Sequence, residues 1–119
     1  MENKKNESGS IISEIFENTN PVMANLYLQI GLTNSAISYE KINLLGGPKG
    51  KELDTLKMPV LFLVGQDDTI MPPHIIKLAS EYIPGSKFLI VPGCGHSVYW
   101  EKPYVFNLEV ERFISESIR

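Results

Sequence analysis

This 119-residue sequence is short of cysteine, and Cys94 stands alone. A single thiol excludes an internal disulfide framework and favours a reducing, cytoplasmic location. Long hydrophobic runs are also missing: no stretch of 18 apolar residues occurs, and the polar start MENKKNESGS has no apolar segment behind it that would make a signal peptide. We therefore expect no association with a membrane.

The sequence also has little excess charge of either sign. Its formal net charge is −3, with 43% hydrophobic and 21% charged residues, close to the averages of globular proteins. That balance gives no support to nucleic acid as a partner. The length is that of one domain with a hydrophobic core of its own.

Two helices are predicted in the first part of the chain, after a polar tail over residues 1–9 that we expect to be disordered. The first helix follows Ser10, a suitable N-cap, and the second begins at Asn20-Pro21 and stops near Gly31. Residues 32–51 have weak periodicity and a Gly-Gly-Pro breaker, so we expect irregular structure that can include a helix near residues 37–45. Residues 10–52 thus form a helical segment. Its apolar helical positions are Ile11, Ile12, Ile15 and Phe16, then Val22, Met23, Leu26, Tyr27 and Ile30.

Residues 53–119 predict a strand-helix-strand-helix unit of the α/β class. An apolar run without alternation covers residues 60–64 and ends at Gly65, which is typical of a parallel strand buried on both faces. A helix opens at Pro72-Pro73, a second strand covers residues 87–91, and this order implies a right-handed crossover with parallel pairing. An amphipathic helix then runs from Pro103 to the C-terminus, and its apolar face comprises Phe106, Val110, Phe113 and Ile114.

An aspartate and a histidine follow the two predicted strands. Asp68 comes just after the first strand and His96 just after the second. Side chains at the carboxyl ends of neighbouring parallel strands can meet, because the strands lie roughly 5 Å apart. A buried carboxylate beside an imidazole fixes its tautomer and stabilises the imidazolium that forms when the ring takes a proton. We interpret Asp68 and His96 as a catalytic pair.

Less specific roles remain open for these residues and their neighbours. Asp68 could cap the turn before the following helix, and Asp67 could take the place of Asp68 beside His96. His74 stands near a helix start beside two prolines, which favours a surface position.

Other side chains near His96 are weaker candidates. Cys94 and His96 form a lone Cys-x-His pattern without a second ligand pair, so we expect no metal and no cofactor. Ser97 cannot easily present its hydroxyl to the neighbouring ring, so we do not nominate it as a nucleophile. Tyr99 and Trp100 are interpreted as packing residues.

The motifs of residues 59–96 are similar to the end of α/β-hydrolases. The resemblance rests on PVLFLVGQDD with Pro72 after it, on Ile83-Pro84, and on GCGH before the last helix. In that family the acid commonly stands three places after the glycine that ends its strand, and the histidine follows a glycine after the last strand. The resemblance therefore implies that Asp68 and His96 are the acid and histidine of a catalytic triad. It covers residues 53–119, and by position residues 10–45 would correspond to the end of a lid.

The family's nucleophile lies on a G-x-S-x-G turn, and this sequence contains no such motif. The oxyanion-hole loop is missing as well, and one of its donors is typically worth roughly 3–4 kcal/mol of transition-state stabilisation. A sheet built from two strands would also leave its faces and edges uncovered. We therefore expect a truncated hydrolase, inactive alone, that takes a small-molecule substrate only when an N-terminal half completes it.

The functional prediction is the C-terminal part of a serine-type hydrolase, esterase-like or acting on a carbon–carbon bond, with Asp68 orienting His96. One alternative is a non-catalytic fragment or interaction module that forms homo-oligomers through its open sheet edge. Another, within the enzymes, is a dehalogenase- or epoxide-hydrolase-type protein whose nucleophile is an aspartate.

Overall fold

A computed structural model of the chain describes residues 11–33 and 49–118. The predicted tail over residues 1–9 and the predicted helix near residues 37–45 lie outside these ranges. The described elements are α1 (Glu14–Thr19), α2 (Pro21–Leu32), α3 (Gly50–Leu53), β1 (Leu61–Gly65), α4 (Pro73–Glu81), β2 (Lys87–Val91), α5 (Val98–Glu101) and α6 (Pro103–Ser117).

β1 and β2 pair in parallel, as the sequence predicts. Leu61 lies opposite Lys87 at one end of the pair and Gly65 opposite Val91 at the other. The crossover between them carries α4, which contacts both strands. The predicted strand-helix-strand-helix order with parallel strands is confirmed, and both strands end at the same edge of the sheet.

β1 is fully buried only toward its carboxyl end. Its first three residues, 61–63, are half-buried, and burial is complete only at Val64 and Gly65. The composition of β1 is typical of a strand buried on both faces, but the sheet that the described residues form has two strands and leaves apolar surface uncovered, as the sequence predicts.

Two clusters of buried apolar side chains flank the segment of residues 94–101. One cluster joins α1, α2 and α5, and the other lies beneath the end of β2 and against α6. A fully buried valine, isoleucine or phenylalanine side chain contributes about 1.5–3 kcal/mol to the stability of the fold. The clusters therefore hold the His96 segment from both sides. Their members are Ile12, Phe16 and Ala24 with Tyr27 and Trp100, and Val91, Cys94 and Val98 with Leu63, Val105 and Phe106.

The start of α1 differs from the prediction. The helix begins at Glu14, and its N-cap is Ser13, whose hydroxyl accepts a hydrogen bond from the Phe16 amide at 3.2 Å. Ile11 and Ile12 precede the helix, and Ser10 lies outside the described residues. The reason is a competing contact: the Ile11 carbonyl accepts a hydrogen bond from the His96 amide at 3.0 Å, which ties this stretch to the histidine loop.

α2 begins at Pro21 as predicted and ends at Leu32, one residue beyond the predicted stop. Its apolar stripe faces solvent for most of its length, because Met23, Leu26 and Ile30 are exposed while Ala24 is buried. Tyr27, half-buried, packs its ring edge-to-face on Trp100 with 5.4 Å between centroids. The helix thus contacts the rest of the described chain through a small part of its apolar surface.

The prolines predict the starts of the two longer C-terminal helices. α4 begins at Pro73 and α6 at Pro103, each with proline in the first turn. The four-residue helices α3 and α5 were not predicted, since such short segments carry no periodic signal. None of the helices that the structure describes is both long and apolar enough to cross a bilayer.

Candidate active site

The structure brings Asp68 and His96 together at the carboxyl end of the sheet. The distance from His96 Nδ1 to Asp68 Oδ2 is 2.8 Å. Two backbone hydrogen bonds of 2.9 Å join the loops that carry these residues: the Gln66 amide donates to the Val91 carbonyl, and the Asp67 amide to the Cys94 carbonyl. The register of the strands therefore continues into the loops and places the two side chains within reach of each other.

Asp68 has two functions in the structure. Its side chain is 4% exposed, and Oδ1 accepts hydrogen bonds from the Ile70 and Met71 amides, each at 2.9 Å. Oδ2 is left to face His96. The turn-capping role and the histidine-pairing role thus coexist in one carboxylate, whereas Asp67 is exposed.

The contact with Asp68 favours one tautomer of the neutral His96 ring. An ionised carboxylate only accepts hydrogen bonds, so Nδ1 must be the donor, which leaves Nε2 as an acceptor. The His96 side chain is 39% exposed, and no hydrogen bond to Nε2 occurs among the described residues. The ring can therefore receive a proton from a group that approaches on its Nε2 side.

Close contact between the two loops requires a glycine at position 65. A Cβ placed there would lie 2.0 Å from the Gly95 carbonyl oxygen and 2.4 Å from that of Cys94. Both atoms belong to the backbone and cannot rotate away. The absence of a side chain at Gly65 is thus a condition of the Asp68–His96 contact.

Replacing Gly65 by alanine is expected to lower the free energy of unfolding by about 3 kcal/mol, at the upper end of overpacking costs, because the two strand ends must separate. Urea unfolding followed by Trp100 fluorescence measures this loss. The matched control is Gly31→Ala, since a Cβ at Gly31 meets nothing within 4 Å. In a helix that change should stabilise by roughly 0.5–1 kcal/mol. A Gly65→Ala chain as stable as its parent would contradict the close contact.

Glu101 is a residue of the site that the sequence did not reveal. It is 5% exposed at the end of α5, and its carboxylate accepts hydrogen bonds from the Ser13 amide at 3.1 Å and the Gly95 amide at 2.9 Å. The Ser13 hydroxyl is a third donor. The contact joins residues 88 positions apart, and a glutamate just before a proline-initiated helix looks like a solvent-facing residue in the sequence.

The remaining candidates have structural contacts. Ser97 is 2% exposed, and its hydroxyl lies 2.7 Å from the Tyr27 hydroxyl. The Trp100 ring contacts Tyr27, and its indole N–H donates to the Met23 carbonyl at 3.2 Å. Tyr99 packs edge-to-face on Phe106 with 6.3 Å between centroids. These side chains build the walls around the histidine loop.

Cys94 lies in the histidine loop, and His74 lies on α4. Cys94 is completely buried, and burial raises the pKa of its thiol to about 12, so it stays protonated at neutral pH. His74 is exposed in the first turn of α4. No group of three or more potential metal-ligating side chains occurs among the residues that the structure describes.

The sequence profile of the alpha/beta hydrolase fold matches residues 18–103, most of the chain. The chain belongs to the alpha/beta hydrolase fold family. The family predicted from the motifs is thereby confirmed. The alpha/beta hydrolase resembles an uncharacterized carboxylesterase of Bacillus subtilis, with 30% identity over 66 residues, which are 55% of this chain and 22% of that protein. The chain therefore corresponds to about a fifth of this relative's length.

Solved structures show the same partial correspondence. A thermophilic esterase from Thermogutta terrifontis superposes with a TM-score of 0.74 and 23% identity over 90% of this chain and 40% of that one, which shows the shared fold. The esterase RhEst1 from Rhodococcus sp. ECU1013 superposes with a TM-score of 0.54 and 38% identity over 57% of this chain and 25% of that one. The chain is thus a partial alpha/beta hydrolase with esterase-like homologues.

Proposed function

We propose that this chain is the C-terminal part of a serine-type esterase, in which His96 is the general base and Asp68 its orienting acid. The observation that carries the proposal is the 2.8 Å contact between His96 Nδ1 and the buried carboxylate of Asp68. Support for an ester substrate comes from relatives that include a carboxylesterase and the esterase RhEst1. The nucleophile and the oxyanion hole would come from another segment, because the sequence has no G-x-S-x-G turn.

In the proposed reaction, His96 takes a proton from the nucleophile and then gives it to the leaving group. Nε2 takes the proton of a serine hydroxyl as its oxygen bonds to the ester carbonyl carbon, and the carbonyl electrons move to the oxygen. The imidazolium is stabilised by Asp68. The same proton then passes from Nε2 to the departing alkoxide as the ester C–O bond breaks, which leaves an acyl-serine for water to hydrolyse. Oδ1 of Asp68 accepts hydrogen bonds from two backbone amides, which hold the carboxylate with Oδ2 toward the imidazole.

We further propose that α1 and α2, within residues 10–52, are the lid-like wall of this site. They are joined to the histidine loop by the Ile11 carbonyl and by the Tyr27 hydroxyl, which contact His96 and Ser97. The exposed apolar stripe of α2 would face the missing part of the enzyme or its substrate.

A hybrid enzyme tests the proposal. It keeps the part of the Thermogutta esterase that lies outside the superposed region and replaces the superposed region by this chain, whose fold matches it over 90% of its length. We expect the hybrid to hydrolyse p-nitrophenyl acetate well above the buffer rate, and the 119-residue chain alone to be silent. The assay is release of p-nitrophenol.

Two results would count against the proposal. A folded hybrid as silent as the isolated chain would show that the chain cannot supply the base and acid. Turnover by the isolated chain would show a nucleophile that the proposal does not contain. Circular dichroism of the hybrid shows whether it is folded before either conclusion is drawn.

The second candidate function is an interaction module that forms homo-oligomers through the sheet edge. It is favoured by the two-stranded sheet of the described residues, whose outer edges are available for pairing, and by half-burial of residues 61–63. In that case, light scattering after size exclusion would show a dimer or larger assembly of the isolated chain. The hybrid would also release no p-nitrophenol above the buffer rate.

A further inference from the structure

We propose that Glu101 is a positioning residue, which fixes the Gly95–His96 loop through its carboxylate and thereby keeps His96 Nδ1 on Asp68. This role rests on the proposed function of His96 and adds a further residue to that site. Glu101 touches neither the reacting atoms nor the imidazole in the described contacts. It acts through the backbone of the residue that precedes His96.

Glu101 is linked to the histidine loop by its own oxygens. Oε2 accepts the Gly95 amide at 2.9 Å, and Oε1 accepts the Ser13 amide at 3.1 Å and also the Ser13 hydroxyl. The next amide, that of His96, donates to the Ile11 carbonyl at 3.0 Å. Two successive amides of the loop are therefore hydrogen-bonded. Glu101 accepts the Gly95 amide, and the Ile11 carbonyl, close to the Ser13 amide that Glu101 also binds, accepts the His96 amide.

The fit around Gly95 shows how closely these groups are packed. A Cβ at this position would lie 2.7 Å from the Ser13 nitrogen and 2.8 Å from Glu101 Oε2. The loop has little room to shift toward either group, and we expect loss of a hydrogen bond here to change the path of the loop at the next residue, His96.

A carboxylate is required because both of its oxygens face amide donors. A glutamine in the same place would have one acceptor and one donor group, so either the Gly95 amide or the Ser13 amide would face an N–H group. Glu101→Gln keeps the volume of the side chain and changes its hydrogen bonding and its charge. It is therefore the variant that tests the role with least disturbance of packing.

The first test is nitrogen NMR of the histidine rings in the 119-residue chain, which contains two histidines, His74 and His96. In the parent we expect His96 to be held as the Nδ1–H tautomer and exposed His74 to show the ordinary mixture. In Glu101→Gln we expect the ring-nitrogen signals of His96 to move toward those of His74, which would indicate a mixture of tautomers. A fixed Nδ1–H pattern in this variant would overturn the proposal.

Two control variants separate positioning from general loosening. Ser13→Ala removes the α1 cap and one donor to Glu101 but keeps both backbone amides on the carboxylate, so it should destabilise the chain and leave the His96 tautomer in place. Glu81→Gln makes the same chemical change at an exposed position of α4. It should leave the stability of the chain and the His96 tautomer unchanged. If Ser13→Ala altered the His96 tautomer as much as Glu101→Gln does, the positioning role would be refuted.

The hybrid enzyme provides the second test. Since a misplacement of about 1 Å can cost on the order of 100-fold in rate, Glu101→Gln should lower kcat by roughly 10- to 100-fold while KM stays within about twofold. Unchanged kcat would overturn the role. An inactive parent hybrid would count against the proposed function instead, and the NMR of the isolated chain would still decide the role of Glu101.

Discussion

Replacing His96 by alanine is expected to lower kcat of the hybrid esterase by about 10⁵-fold or more, the scale on which removal of the base acts in serine hydrolases. The base takes the proton from the nucleophile and later returns it to the leaving group, so both chemical steps lose their proton carrier. KM for p-nitrophenyl acetate should change little, because the imidazole contributes little to binding the substrate. Steady-state kinetics with enzyme concentration fixed by active-site titration of the parent would measure both constants.

The matched control for this variant is His74→Ala. His74 is exposed in α4 and has no role in the proposed reaction, so kcat should stay within about twofold of the parent value. A loss of less than about tenfold in His96→Ala, with His74→Ala unchanged, would show that another group carries the proton. Residual turnover is expected even without the base, since the oxyanion hole and binding alone leave about 10³–10⁴-fold catalysis over water.

Much of the fold around the site is predictable because its signals are local. Apolar runs that stop at Gly65 and at Pro92-Gly93 predict β1 and β2, and prolines in the first turn predict α4 and α6. Parallel pairing follows from the crossover, and it places the residues after both strands at one edge. The proximity of Asp68 and His96 could therefore be predicted from the sequence.

The support of the histidine loop could not be predicted, because it depends on contacts between distant segments. Ser13 and Glu101 are 88 positions apart, and each has a commoner role in its local sequence: one as a helix N-cap, the other as an exposed residue. The start of α1 was misplaced for the same reason, since helical spacing at Ile11 gives no sign that its carbonyl binds the His96 amide.

The uncovered apolar surface has a different physical origin. β1 has the composition of a strand buried on both faces, yet residues 61–63 are half-buried in the described structure. The relatives explain the mismatch, because the chain spans 22% of the Bacillus carboxylesterase and 40% of the Thermogutta esterase. The composition of β1 fits the larger sheet of the family, whereas the contact between Asp68 and His96 needs only the two strands present here.

Replacing Asp68 by asparagine is expected to lower kcat of the hybrid by about 10⁴-fold, the effect of the same change in the serine-protease triad. The reason is the tautomer of His96. The Ile70 and Met71 amides both donate to Oδ1, so the asparagine must keep its carbonyl oxygen there and turn its NH₂ group toward His96. Nδ1 then becomes an acceptor, the ring proton moves to Nε2, and Nε2 can no longer take the proton of the nucleophile.

Asp68→Asn thus differs from a simple loss of charge, and NMR of the chain can show the difference. The His96 ring should change from the Nδ1–H to the Nε2–H tautomer, while the turn before α4 stays intact because both amides keep their acceptor. Asp67→Asn, one residue away and exposed, is the control and should leave tautomer and kcat unchanged. If Asp68→Asn kept kcat within tenfold of the parent, the two amides on Oδ1 would define the whole role of this carboxylate, a turn cap that lies beside a histidine.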